Sequence, residues 1–265
     1  MGKTGLALGG GGARGISHLG VWLALRERGV KIDCIAGTSI GAIAGAVIAA
    51  GKVDEALAWC AEPDWKKLPP LVAETRFSTK ALVSGSQIEK KLHQIIGAET
   101  FRELEIPFAA VATDLNSGRK VVMRDGDLVS AVRASMSIPG VFRPVERDGL
   151  VLIDGQLVDP LPVAACREMG ADKVIAVDIN PPGSPGSAKP FADTNIFDVL
   201  MGTLTIFNSE MTRRVIAETK PEAVIRPDVG DVLALDFRNA ARLEERGRAA
   251  VAAADLSAIP TEDAR

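Results

Sequence analysis

The chain has 265 residues, 31 basic and 34 acidic side chains, and a net charge of −3. That length suits one large α/β domain with a sizeable core, and interspersed charges without a basic stripe give no sign of nucleic-acid binding. Cys34, Cys60 and Cys166 are widely spaced among apolar residues. They read as reduced core thiols of a cytoplasmic protein rather than as a disulfide framework.

Met1-Gly2-Lys3-Thr4 leads into a strand rather than an apolar leader, so no secretory signal is read. Leu6 breaks the myristoylation pattern that Gly2 would open. Residues 5–8 form the first strand. It runs into Gly9-Gly10-Gly11-Gly12-Ala13-Arg14-Gly15 and then a helix over about 14–29. Backbone N–H groups gathered at a helix start stabilise negative charge.

A second strand (33–37) ends in Gly37-Thr38-Ser39-Ile40-Gly41, and a buried helix follows over 40–51. G-x-S-x-G is the turn that lifts a serine hydroxyl out of a tight strand-to-helix bend. The apolar run from Cys34 to Ala50 falls short of the ~20 residues of a membrane span. Gly41 and Gly45 suit close packing of this helix on a sheet. A nucleophile beside a place for the oxyanion it would create points to acyl transfer.

Residues 54–61 read as a short helix, and Lys66 to Ser84 as an irregular loop or cap over a site. Ser86 to Ile96 is a helix with Ile88, Leu92 and Ile95 on one face. Phe108–Asp114 is a strand paired with Lys120–Arg124, and Leu128–Ser135 is helical. Val151–Ile153 is a short strand that delivers Asp154 to a Gly155 turn. A helix over Val163–Met169 and a buried strand over Lys173–Ile179 follow.

Pro181 to Ser187 has loop composition. Beyond it come a long helix (about 193–219), a strand around Val224–Arg226 and a last helix (about 238–254), with a frayed tail after Ser257.

A serine nucleophile needs a base, and histidine is the usual one. Only His18 and His93 are present. His18 precedes the serine and is expected to pack or cap locally. His93 lies beside Lys90 and Lys91 on a solvated face, and no histidine follows it. The Ser…Asp…His order of α/β-hydrolases cannot be met. The base is then a carboxylate. Asp154, Asp114 and Asp178 all stand at strand ends, where α/β sheets present functional side chains.

These residues resemble the patatin-like phospholipase family. Gly10–Gly15 is similar to its G-x-G-x-x-G oxyanion motif and Gly37–Gly41 to its nucleophile elbow. Asp154-Gly155 is similar to its D-G-[GA] acid motif, and Arg133–Phe142 to another typical stretch. Gln156 departs from the Gly or Ala usual at the third acid-motif position.

The resemblance implies a three-layer α/β/α fold with a mostly parallel central sheet. It also implies a catalytic domain over 5–180, a helical C-terminal extension over 181–265 packed on that domain, and no metal or organic cofactor. Asp154 would take the proton from Ser39, with Gly10, Gly11, Gly12 and Arg14 forming the oxyanion hole. Loss of one such donor typically costs ~2.7–4 kcal/mol. An ordinary aspartate pKa of ~3.9 would keep Asp154 ionised at neutral pH.

The implied substrates are acyl esters of phospholipids or lysophospholipids, with transient contact to a membrane surface. Leu68 to Val72, Phe77, Ile138, Val141 and Phe142 are candidates for an acyl groove, against core packing as the ordinary use of apolar loops. Phe197, Leu200, Met201, Leu204 and Phe207 give the long helix an apolar face expected to pack on the domain.

Two other readings compete. Gly10-x-Gly12-x-x-Gly15 with Asp33 mimics a dinucleotide fingerprint, but Asp33 precedes its strand instead of ending it. A binding or regulatory module on a hydrolase scaffold is the non-enzymatic alternative.

Overall fold

In chain order the elements of the computed structural model are β1 (Thr4–Leu8), α1 (Ile16–Glu27), β2 (Cys34–Thr38), α2 (Ile40–Ala49), α3 (Val53–Ala61) and α4 (Gly85–Ile96). Next come β3 (Phe108–Asp114), β4 (Lys120–Met123), α5 (Leu128–Ser135), β5 (Val145–Arg147), β6 (Leu150–Asp154), α6 (Val163–Glu168) and β7 (Lys173–Val177). The C-terminal part adds α7 (Ile196–Thr219), β8 (Ala223–Ile225) and α8 (Ala240–Ala253). The structure describes residues 2–61, 85–180, 195–230, 232 and 240–261. The expected cap at Lys66–Ser84 and the loop at Pro181–Ser187 lie outside them.

The strands form one sheet in the order β5-β6-β3-β2-β1-β7-β8, with β4 also on β3. β3, β2, β1, β7 and β8 run parallel to one another, and β4 and β6 pair antiparallel with β3 at one side, where β5 pairs antiparallel with β6. Strands buried on both faces read as continuous apolar runs. Here the period of two divides them between two cores. Leu6, Leu8, Ile35, Ile175 and Val177 face one core. Ala7, Cys34, Ala36, Val174 and Ala176 face the other.

The first core is covered by α1, α2, α4 and α5, the second by α6 with Val215 and Ile216 of α7. This is the expected α/β/α layering. α8 lies against α1, burying Leu243 and Val251, and β8 extends the sheet beyond β7.

Two local expectations need correction. The expected frayed tail is fastened as far as Thr261: Ile259 is buried and Thr261 bridges to Val30. Strand β5 was not expected, because three residues in a half-exposed edge carry too short a pattern to read. Among the described residues, no helix is long and apolar enough to cross a membrane.

Strand β3 sets the geometry of the site. Ala110 and Val111 pair with β2 (Gly37, Thr38) and with β4 (Met123, Val122), so β2 and β4 flank β3 on opposite sides. Ala112 and Thr113 pair with β4 (Val121, Lys120) and with β6 (Asp154, Ile153). β6 therefore lies on the β2 side. It takes over, from Ala112 onward, the edge that β2 occupies up to Val111. The ends of β2 and β6 meet head to head: Thr38 stands across from Val111 and Asp154 across from Ala112.

Candidate active site

Ser39 links β2 to α2 with φ 56° and ψ −122°, a conformation that residues with a Cβ rarely adopt. Such strain costs about 1–3 kcal/mol and persists only where neighbours hold it. Here the Ser39 N–H donates to Ser135 Oγ at 2.9 Å, and Ser135 Oγ donates to the Val111 carbonyl at 2.6 Å. The turn is also glycine-tight. A Cβ at Gly37 would lie 2.2 Å from Gly41 O, and one at Gly41 would lie 2.2 Å from Leu8 O. α2 starts at the next residue, so its positive end points at the serine.

Asp154 ends β6 with every polar atom engaged. Its N–H donates to Ser137 O at 3.0 Å, and its carbonyl accepts from Thr113 Oγ1 at 2.8 Å. Carboxylate Oδ1 accepts from the Gln156 N–H at 2.8 Å, and Oδ2 accepts from Ser39 Oγ at 2.7 Å. Ser39 and Asp154 are each only 2% exposed.

Burial dominates the electrostatics of Asp154. Desolvation raises its pKa from the ordinary 3.8 to about 7, against the opposing hydrogen bonds from Gln156 and Ser39. The always-ionised carboxylate expected from sequence is therefore corrected to one that titrates near neutrality, where a general base is most effective.

The positional competitors are engaged elsewhere. Asp114 accepts from the Ser117 hydroxyl and N–H, and the hydroxyl bond holds its pKa low. Asp178 accepts from the Asn180 N–H and from Arg226 Nε. Asp33 caps β1, accepting from the Thr4 N–H at 2.9 Å.

Neither histidine meets the serine. His18 is buried and, through Nε2, donates to the Gly9 carbonyl at 2.8 Å. Burial pushes its pKa down to about 4, so it is neutral at pH 7 and acts as a prop for the glycine loop. His93 is solvent-facing and paired with Glu99.

The glycine loop crosses the carboxyl ends of β1 and β7. Gly9 N–H donates to Val177 O, and Gly10 N–H donates to Pro160 O, each at 3.1 Å. The Gly10 amide, expected among the oxyanion donors, is thus committed to Pro160. Gly11 and Gly12 N–H have no acceptor among the described residues, and both line a cleft that Asp154 also lines.

Arg14 is buried, with Nε on Val232 O at 2.8 Å and Nη1 3.4 Å from Asn180 Oδ1. Asn180 Nδ2 in turn donates to the Gly10 carbonyl. Asn180 and Ser135 are the site residues that sequence reasoning passed over. The available signals were a polar side chain just past β7, at the carboxyl edge of a parallel sheet, and a hydroxyl within the Arg133–Phe142 stretch.

The cleft has two characters. Gly11, Gly12, Asp154, Gln156 and Asn180, with Thr205 and Asn208 of α7, supply polar groups to its lining, and Ile138, Leu157, Met201 and Leu204 supply apolar ones. Of the groove candidates, Ile138 is there, whereas Val141 and Phe142 are buried, Phe142 beneath the Arg133 guanidinium. Leu68–Val72 and Phe77 lie outside the described residues. On α7, Met201 and Leu204 face the cleft, but Ile196, Val199, Leu200, Ile206 and Phe207 are exposed, so that helix packs on the domain through only part of its apolar surface.

A family model described as patatin-like phospholipase matches residues 6–167, a segment containing the glycine loop, Ser39 and Asp154. The chain belongs to the patatin-like phospholipase family. An uncharacterized NTE family protein of Mycobacterium tuberculosis is 42% identical over 194 residues, covering 73% of this chain and 53% of the relative. This patatin-like chain therefore spans about half the length of that relative. Human patatin-like phospholipase domain-containing protein 6 is 37% identical over 180 residues, 66% of this chain and 13% of its own. Among solved structures, VipD from Legionella pneumophila superposes with a TM-score of 0.54 at 14% identity, covering 95% of this chain and 66% of VipD. At that identity the likeness concerns the fold.

Proposed function

We propose that this patatin-like chain hydrolyses carboxylic esters of lipids through a Ser39–Asp154 dyad. The observation that carries the reading is the 2.7 Å bond from Ser39 Oγ to Asp154 Oδ2 inside a solvent-poor site. Ionised Asp154 removes the hydroxyl proton as Ser39 Oγ attacks the ester carbonyl. The N–H groups of Gly11 and Gly12 receive the oxyanion, and the start of α2 adds favourable potential. Collapse breaks the ester C–O bond, and the leaving alcohol takes the proton from Asp154. Water, deprotonated by Asp154, then attacks the acyl-serine, releasing the acid and restoring Ser39. Arg14 serves by clamping Asn180 and adding positive charge beside the loop.

Lipid esters are the substrate class because apolar and polar side chains line the cleft together, and because the human relative is named a patatin-like phospholipase domain-containing protein. Phospholipids or lysophospholipids meet both requirements. The exposed apolar residues of α7 belong to the helix that walls the cleft, which favours capture of substrate at a lipid surface.

A fluorophosphonate probe should label Ser39. Labelling and ester turnover should vanish in Ser39→Ala, and turnover should fall about 10²–10⁴-fold in Asp154→Asn. A wild-type chain that is neither labelled nor active on acyl esters would favour the binding-module alternative.

A further inference from the structure

Gln156 is placed by the base itself. Its N–H donates to Asp154 Oδ1 at 2.8 Å within the turn Gly155–Leu157, which fixes its Cα beside the dyad. From there its side chain runs over Gly10. A Cβ at Gly10 would lie 2.3 Å from Gln156 Cδ and 2.6 Å from its Nε2. Gly10 makes no bond to this carboxamide: its N–H is on Pro160 O and its carbonyl accepts from Asn180.

A carboxamide carries two N–H donors and an oxygen with two lone pairs. None of these makes a hydrogen bond among the described residues, and the half-buried side chain lines the cleft together with Gly11, Gly12 and Asp154. A polar group lining a catalytic cleft discriminates among substrates by what it leaves unpaired. The apolar lining from Ile138, Leu157, Met201 and Leu204 suits the acyl chain. The carboxamide then faces the alcohol half of the ester.

Resting on the hydrolase reading above, we propose that Gln156 is a specificity-determining residue that selects esters whose alcohol carries hydrogen-bonding groups close to the scissile carbonyl. Replacing the carboxamide while keeping its bulk should erase the preference, because leucine can neither donate nor accept.

The test compares glyceryl monobutyrate with butyl butyrate, which share an acyl chain and differ in the polarity of the alcohol. The wild-type chain should favour the glyceryl ester. The ratio of kcat/KM values (glyceryl over butyl) should fall about 3- to 10-fold in Gln156→Leu, the range expected for one or two lost hydrogen bonds. Gln156→Ala should lower it too, which guards against a leucine variant that fails to fold. Fluorophosphonate labelling of Ser39 in each variant reports an assembled site. A ratio within twofold of wild type in both labelled variants overturns the proposal and leaves the hydrolase reading standing. A wild-type chain that is unlabelled and inert to both esters overturns the two together.

Discussion

Asn180 donates its Nδ2 proton to the carbonyl of Gly10, a residue 170 positions earlier in the chain. Its Oδ1 meets Arg14 and its backbone N–H is held by Asp178, itself paired with Arg226. One amide thus ties the end of β7 to the loop whose next two residues, Gly11 and Gly12, line the cleft. Asn180→Ala should loosen their N–H donors without touching Ser39 or Asp154. The expected result is a fall in kcat of about 10- to 100-fold with KM changed little. Steady-state kinetics on a soluble ester check it, and an equal rise in KM would argue for a substrate contact instead.

The titration of Asp154 gives a second prediction with a definite sign. The folded-state pKa is raised from 3.8 to about 7 by burial. Only the ionised form accepts the Ser39 proton, so kcat/KM should rise with pH through about 7 and then level off. Stability runs the other way: for an acid with a raised folded pKa, the contribution is fully present below 3.8 and is lost as pH rises through about 7. Asp154→Asn should remove that part of the pH dependence of Tm. A rate profile already flat from pH 5 upward would contradict the assignment.

Gly41 has no room for a methyl group, since an added Cβ would stand 2.2 Å from Leu8 O. The obstacle is backbone of β1, which cannot swing aside as a flexible side chain would. Gly41→Ala should cost about 1–3 kcal/mol, a Tm drop of roughly 2–12 °C at this size. It should also abolish probe labelling, because the displaced turn is the one that carries Ser39. Thermal unfolding and labelling in parallel check both parts.

The N-terminal half of α7 supplies the last prediction. Ile196 is 71% and Ile206 70% exposed, large apolar side chains that a helix serving only as a wall would not require. A Val199→Glu/Ile206→Glu pair should weaken binding to phosphatidylcholine vesicles and slow hydrolysis of vesicle-borne esters, while turnover of a short soluble ester persists. Vesicle flotation beside the soluble assay separates the two. Unchanged flotation would count against this face.

Much of this was readable before any coordinates. Runs such as Phe108–Ala112 and Val174–Val177 are apolar throughout and so read as strands buried on both sides, and G-x-S-x-G placed Ser39 at a strand end. Choosing between Asp154, Asp114 and Asp178 was harder on position alone. What separates them is which strand sits along β3 beyond Val111, a pairing that local periodicity does not encode. The acidity of Asp154 was also hidden, because desolvation depends on neighbours from β2, β3 and α5 and not on the residue type. For the same reason the loss of the Gly10 amide to Pro160 could not be seen: the two residues are distant in sequence. Asn180, Ser135 and the inward course of Gln156 belong to this class of contact.

The head-to-head junction of β2 and β6 on one edge of β3 has a further meaning. The ends carrying Ser39 and Asp154, more than a hundred residues apart in sequence, are gauged against two consecutive positions of a third strand, Val111 and Ala112. That spacing is set by the register of β2 and β6 on β3 and not by the length of chain between them. A hydroxyl and a carboxylate brought together this way depend on sheet register rather than on nearness along the chain.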